Sequence, residues 1–295
     1  MRVGMTLPVM EPGLDAATLE TWSRTVDDGP FASLCFGERM AFDNPETMTL
    51  LGAVAAWTRR VRLVTTVVVP QLHHPVLLAK SLATADLLCG GRLTVGLGVG
   101  GREEDYRAVD ADPATQTIAG LAEAAAAMRR VWEGKPVSDE VGSVGPPPVQ
   151  EGGPELLVGT MGPRTIRAAA AWADGLAGFS LDLDPDAAAG LFSLARDAWR
   201  DADRDPPRLA TSFWFALDDD PAAARHQVHR HLRHYMSWLP PDLVDAMAPT
   251  TGFAGSAAQL RELLDAMAEA GADEVHLVPT SDDHRQVEQV AELLR

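Results

Sequence analysis

The feature that most constrains this chain is an alternation of short apolar runs and longer helical stretches, repeated along its whole length. Strand-like runs fall at residues 3–7, 31–36, 61–69, 92–99, 155–158, 175–179, 209–217 and 274–278. Helix-like stretches fall between and after them, at 14–26, 45–57, 75–88, 118–132, 164–172, 185–202, 221–238, 257–270 and 283–294. The third run, Val61-Arg62-Leu63-Val64-Thr65-Thr66-Val67-Val68-Val69, is β-branched almost throughout. A strand buried on both faces looks like that, and such strands belong to parallel sheets covered by helices. Eight β-then-α units imply an α/β protein with a parallel sheet. Packed into 295 residues, they favour one closed (β/α)8 TIM barrel, a fold that needs roughly 250 residues. A doubly wound open sheet is the competitor, because counting units does not prove closure. The whole of residues 1–295 reads as a single domain.

Local signals agree with this division. Asp15 is placed to cap the first helix, and Asn44 before Pro45 reads as the cap and first turn of the second. Two stretches break the rhythm. The Gly- and Pro-rich segment 142–154 is a connection that could serve as a lid, and 240–255 is a second long connection.

Charge and composition narrow the partners. There are 25 Lys and Arg against 42 Asp and Glu, a net charge of −17. That excludes a broad nucleic-acid footprint, which needs cations to neutralise phosphates. It leaves room for a small basic pocket. The two cysteines, Cys35 and Cys89, form no disulfide framework and point to a reducing compartment. No window approaches the ~20 apolar residues that span a bilayer, and the first residues lack a secretory pattern. The expectation is a cytoplasmic protein with no membrane and no nucleic-acid partner.

Five groups of residues are candidates for chemistry. Gly96-Leu97-Gly98-Val99-Gly100-Gly101 matches the spacing of a dinucleotide fingerprint. It lies mid-chain, however, and Arg102-Glu103-Glu104-Asp105 would bring carboxylates towards a pyrophosphate. A strand end that lets a flat ligand approach its backbone accounts for the glycines better. Gly159-Thr160-Met161-Gly162-Pro163-Arg164 precedes a helix, so unpaired amides and an arginine could hold a phosphate. Glu38-Arg39 ends the second strand, where barrels place catalytic groups; a carboxylate there can bind or deprotonate a ligand. His73-His74 follows the third strand, and one of the pair is expected to cap the next helix. His226, His229, His231 and His234 spread over about 200° of a helix and read as a solvated basic face, with no metal site. No nucleophile elbow, P-loop or zincin motif occurs.

The run from Arg60 to Pro70, with His74-Pro75-Val76-Leu77-Leu78-Ala79-Lys80, Ala83-Thr84-Ala85-Asp86, Gly90-Gly91-Arg92-Leu93 and Gly96 to Asp105, resembles the bacterial luciferase-like flavin monooxygenase superfamily. Within it, the chain is most similar to the branch that uses the deazaflavin coenzyme F420. The resemblance implies a luciferase-like TIM barrel, often dimeric, with the ring at the carboxyl end of the strands. A bulge at the end of the third strand, often with a non-prolyl cis peptide, would support the ring at Thr66-Val67. Gly98 and Gly100 would line the floor, Thr160, Met161, Gly162, Pro163 and Arg164 would take the cofactor phosphate, and Glu38 would touch the polar edge of the ring. Many members have an Asp-His pair at the end of the second strand; here it is Glu38-Arg39, so that histidine is absent.

The resulting expectation is an F420-dependent oxidoreductase that moves a hydride between cofactor and a small organic substrate. An FMN-dependent monooxygenase is the alternative, as is a degenerate barrel that binds cofactor without turnover. A homodimer and a separate cofactor reductase are expected partners, and no metal is expected.

Overall fold

The computed structural model describes residues 1–295. The eight expected runs all become strands: β1 (Arg2–Thr6), β2 (Ser33–Phe36), β3 (Arg62–Val68), β4 (Leu93–Leu97), β5 (Glu155–Val158), β6 (Gly175–Phe179) and β7 (Arg208–Leu217), then β9 (Glu274–Pro279), with a short β8 (Phe253–Gly255) before it. The helices are α1 (Ala16–Asp28), α2 (Thr47–Trp57), α3 (Pro75–Leu88), α4 (Glu103–Ala108), α5 (Ile118–Trp132), α6 (Pro163–Ala169), α7 (Pro185–Asp201), α8 (Pro221–Tyr235), α9 (Pro241–Met247), α10 (Ala257–Glu269) and α11 (Arg285–Leu293).

Every strand pairing is parallel, in the order β1 to β7 and then β9, and β9 returns to β1. The sheet is therefore closed, and the open-sheet alternative falls. β8 pairs only with the last residues of β7, Phe215 to Leu217. It extends the rim rather than the barrel. β8, α4 and α9 are absent from the sequence reading because three, six and seven residues show no measurable period.

Helix starts follow their side chains. Asp15 caps α1, accepting from Thr18 N at 2.7 Å. The expected Asn44 cap is corrected: Glu46 caps α2, its carboxylate accepting from Met48 N at 2.9 Å and Thr49 N at 2.7 Å. A carboxylate on two free amides outcompetes a neutral amide at the positive end of a helix.

The amino end of the barrel is closed by charge. Arg208 binds Glu155 at 2.6 Å and also Glu274, whose other oxygen accepts from Ser33 Oγ at 2.5 Å. Arg62 reaches Thr94 Oγ1 at 2.8 Å. Segment 142–154 lies at this same end. Buried Asp86 accepts from Val149 N at 2.8 Å, Gln150 N at 3.0 Å and Gln150 Nε2 at 2.7 Å. Gln150 also donates to Leu93 O, at the start of β4. The segment cannot be a lid over the carboxyl ends of the strands, because a buried carboxylate anchors it to the opposite face.

Candidate active site at the barrel mouth

The carboxyl end of β3 is the irregular part of the sheet. Thr65 pairs with Val95, but Val68 pairs with Leu97, so an extra residue bulges out of the ladder. The Thr66–Val67 peptide in this bulge is cis. Neighbouring strands make room for it by omitting side chains. A Cβ on Gly37 would meet Thr66 O at 2.6 Å, and one on Gly96 would overlap Thr65 O. On Gly98 and Gly159 it would meet the two methyls of Val67 at 2.6 and 2.5 Å. Gly96 and Gly98 of the fingerprint-like run thus answer to the bulge. A short helix, α4, does follow them, but Asp105 in it turns to Arg39 and not to the glycine loop.

Glu38 is tied to this bulge. Its N–H donates to Val67 O at 3.0 Å, its Oε2 accepts from Val69 N at 2.9 Å, and its Oε1 lies 2.8 Å from His73 Nε2. The Glu38 side chain is buried, so its contact with His73 lies inside the barrel mouth. His73 therefore belongs to the site. Its neighbour His74 takes the cap position of α3 without a side-chain hydrogen bond.

In front of the bulge lies a cavity lined by Thr6, Gly37, Thr66, Ser212, Trp214 and His231, among others. Thr66 is the predicted site residue that reaches it. Gly98 faces Val67, and Gly100, at φ +68°, packs beside Val69 and Tyr106. Phe179 also lines the cavity and continues into a second groove with Met161, Leu181, Leu183 and Leu191. On the wall, His231 Nδ1 lies 2.5 Å from Glu11 Oε1. The other Glu11 oxygen accepts from Arg230 at 2.7 Å. His231 Nε2 and Thr6 Oγ1 are buried there without a protein partner. Burial, which penalises the imidazolium, outweighs the pull of Glu11 and holds His231 below its ordinary pKa.

The expectation of a solvated histidine face on α8 is thereby corrected. His231 is buried and His234 is half-buried with its Nε2 enclosed, while His226 is exposed and His229 binds Asp245 on α9 at 2.6 Å. The signal was available: Ala224, Val228, His231, Leu232 and Tyr235 follow the i, i+4, i+7, i+8, i+11 spacing of one helix face. Glu11, in the loop after β1, carried no such signal.

The rim above the cavity is cationic and aromatic. Arg39 Nε donates to Asp105 at 2.8 Å, and its guanidinium carbon lies 4.9 Å from the Phe42 ring centre and 5.4 Å from that of Trp238. The Arg102 guanidinium lies 3.6 Å from the Trp238 ring centre and 4.8 Å from that of Tyr235. Arg39 Nη1 and Arg102 Nε are buried and unpaired. Desolvation lowers the Arg102 pKa, with Tyr235 opposing.

Gly162, Pro163 and Arg164 are exposed at the start of α6. Thr160 Oγ1 accepts from Gly162 N at 2.9 Å. The amides of Arg164 and Thr165 have no backbone acceptor, and Arg164 forms no ion pair. These donors sit on the same rim as the bulge and the Met161 groove. The donors at the start of α6 suit an anionic group, and the open backbone of the bulge suits the face of a flat one. Unpaired Thr6 Oγ1 offers a partner on the cavity wall, and the bare backbone of the bulge offers a support.

Residues 1–276 match the sequence profile of a family described as luciferase-like monooxygenase. A phthiodiolone/phenolphthiodiolone dimycocerosates ketoreductase of Mycobacterium kansasii is 33% identical over 181 residues, 57% of this chain and 48% of that protein. The chain spans about half the length of the curated relatives it matches. Among solved structures, an F420-dependent secondary alcohol dehydrogenase in complex with an F420-acetone adduct superposes with a TM-score of 0.84 at 18% identity, covering 100% of this chain and 99% of that one. The monooxygenase RslO1 from Streptomyces bottropensis superposes with a TM-score of 0.80 at 24% identity, covering 100% and 98%.

Proposed function

This chain belongs to the luciferase-like monooxygenase family, and from that premise we propose that it is an F420-dependent oxidoreductase. It transfers a hydride between the deazaflavin and a small alcohol or carbonyl substrate. The observation that carries the reading is the β3 bulge, which presents Thr66 to a cavity walled by Trp214, Phe179 and His231. When bound, the deazaflavin supplies the hydride chemistry; the protein supplies placement. Thr66 and Val67 back the ring. The free amides and side chain of Arg164, with Thr160 and Gly162, bind the phosphate, and Met161 and Pro163 shape that loop. Glu38 fixes the bulge and His73 from behind and acts on the ring through them. Gly98 leaves room for the Val67 side chain, and Gly100, at φ +68°, turns the chain beside Val69 and Tyr106.

Likeness to a ketoreductase over half the chain supports carbonyl chemistry. The FMN-monooxygenase alternative needs water shut out from a reactive oxygen intermediate. Segment 142–154, its one lid candidate in the sequence, is bound at the other end of the barrel, which favours hydride transfer. A homodimer and a separate enzyme that recycles the cofactor complete the reading.

The test is titration of the purified protein with F420 and with FMN, followed by quenching of its seven tryptophans. Tight F420 binding with weak FMN binding is expected. Preference for FMN would turn the reading to monooxygenation, and binding of neither would leave a degenerate barrel.

A further inference from the structure

Glu38 is followed by Arg39 after β2, so no histidine stands at that strand end. The cavity does hold a histidine, His231 from α8. We propose that His231 is the catalytic proton acceptor and donor for the substrate oxygen, and that Glu11 is its positioning residue; this rests on the hydride-transfer reading. Three observations carry it. His231 lines the cavity that also holds Thr66 of the bulge. Its Nδ1 is committed to Glu11 at 2.5 Å, which leaves Nε2 as the nitrogen available for exchange. That Nε2 is buried and has no protein partner, an expense that folded proteins accept where the atom has a use.

The ring is held as well as aimed. Tyr235 stacks on it at 5.8 Å between centres with planes 8° apart, and Trp214 stands against it at 5.9 Å. Glu11 is itself neutralised by Arg230 at 2.7 Å. Glu11 therefore fixes the Nδ1–H tautomer without having to share its charge with an imidazolium. The lone pair then lies on Nε2, as a base requires. The charged and titratable groups around the ring are Glu11 from the loop after β1, Arg230, His234 and Tyr235 from α8, and beyond Tyr235 the guanidinium of Arg102.

The step balances. The C–H bond of a secondary alcohol breaks with its electron pair leaving as hydride to oxidised deazaflavin. The O–H bond breaks, its proton going to His231 Nε2, and its electron pair forms the carbonyl π bond. In reverse, His231 Nε2–H returns the proton as a carbonyl is reduced.

The experiment combines imidazole 15N NMR of the free protein with kinetics on the full chain. In the free wild type, His231 should be neutral at pH 7 with the proton on Nδ1. Glu11→Gln should lower its titration point, since the carboxylate is what favours the charged form. An imidazolium at pH 7, a proton on Nε2, or indifference to Glu11→Gln would each overturn the proposal. For turnover, F420 and a panel of 2-propanol, 2-butanol and cyclohexanol serve as probes. His231→Gln should keep F420 affinity within about threefold and lose about 10²–10⁴-fold in kcat. In the wild type, the inflection of the kcat/KM pH profile should follow the titration seen by NMR, and Glu11→Gln should move both together. A working wild type with a His231→Gln variant that is within threefold in kcat overturns this inference and leaves the hydride reading intact. A wild type that binds no F420 or reduces none of it with these alcohols overturns both.

Discussion

Asp105→Asn tests whether the cationic rim depends on one buried carboxylate. Asp105 accepts from Arg39 Nε at 2.8 Å and from the amides of Met40 and Ala41 at 3.0 and 2.7 Å. The Arg39 side chain is 3% exposed and has no other anion within reach. An asparagine keeps a carbonyl oxygen for the two amides but puts an NH2 donor where the other oxygen accepts from Arg39 Nε, so the charge and that acceptor are lost together. What remains is a guanidinium stranded in the interior, which costs about 3–5 kcal/mol when its partner is removed. For a domain of this size each kcal/mol moves the midpoint about 2 °C, so thermal unfolding should shift down by roughly 6–10 °C. The control is Arg39→Met in the Asp105→Asn background. It removes the stranded charge while keeping the apolar stem against Phe42 and Trp238, at a loss of about 0.5–2 kcal/mol of cation–π attraction. The double variant should therefore be more stable than Asp105→Asn alone. Asp105→Asn within 1 kcal/mol of wild type, or an Arg39→Met that makes it worse, would refute the reasoning.

Other outcomes follow from the same geometry. Gly98→Ala drives a methyl to 2.6 Å from Val67 Cγ2 and should cost about 1–3 kcal/mol; adding Val67→Ala should restore most of it in chemical denaturation, and no rescue would mean that the glycine answers to something else. Val67→Trp should exclude F420 from a folded protein, and normal binding would contradict the placement of the ring. Gly162→Glu should weaken F420 affinity at least tenfold with an unchanged circular dichroism spectrum; unchanged affinity would remove this loop from the site. Acid stability tests the closed end of the barrel. Burial pushes Glu274 up, but His276, Arg208 and Ser33 more than offset it and hold the carboxyl well below its ordinary value. A depressed folded pKa contributes stability above the unfolded value of about 4.3, lost as pH falls towards the folded one. The stability gap between wild type and Glu274→Gln should thus be widest near pH 7 and narrow in acid; a constant gap would show that the carboxylate charge is not the cause.

The barrel was legible because its cause is local. Eight apolar runs such as the β-branched 61–69, each followed by helical sequence, read as parallel strands, and parallel strands require crossover helices. The β3 bulge was legible through residues 60–106, which carry the resemblance. The site was only half legible. Glu38 and Thr66 were named, but the partners that give Glu38 its meaning, Val69 N and His73, come from the next strand end. Glu11 and His231 stand 220 residues apart, and no period or motif links a loop after the first strand to a helix after the seventh. Segment 142–154 had the composition of a lid, yet Asp86 holds it at the floor. Sequence determined which residues form strands and helices, since hydrophobic period and capping act within a few residues. Closure of the sheet decided which end each loop faces and which distant carboxylate meets which histidine, because those pairings arise only when β9 hydrogen-bonds to β1.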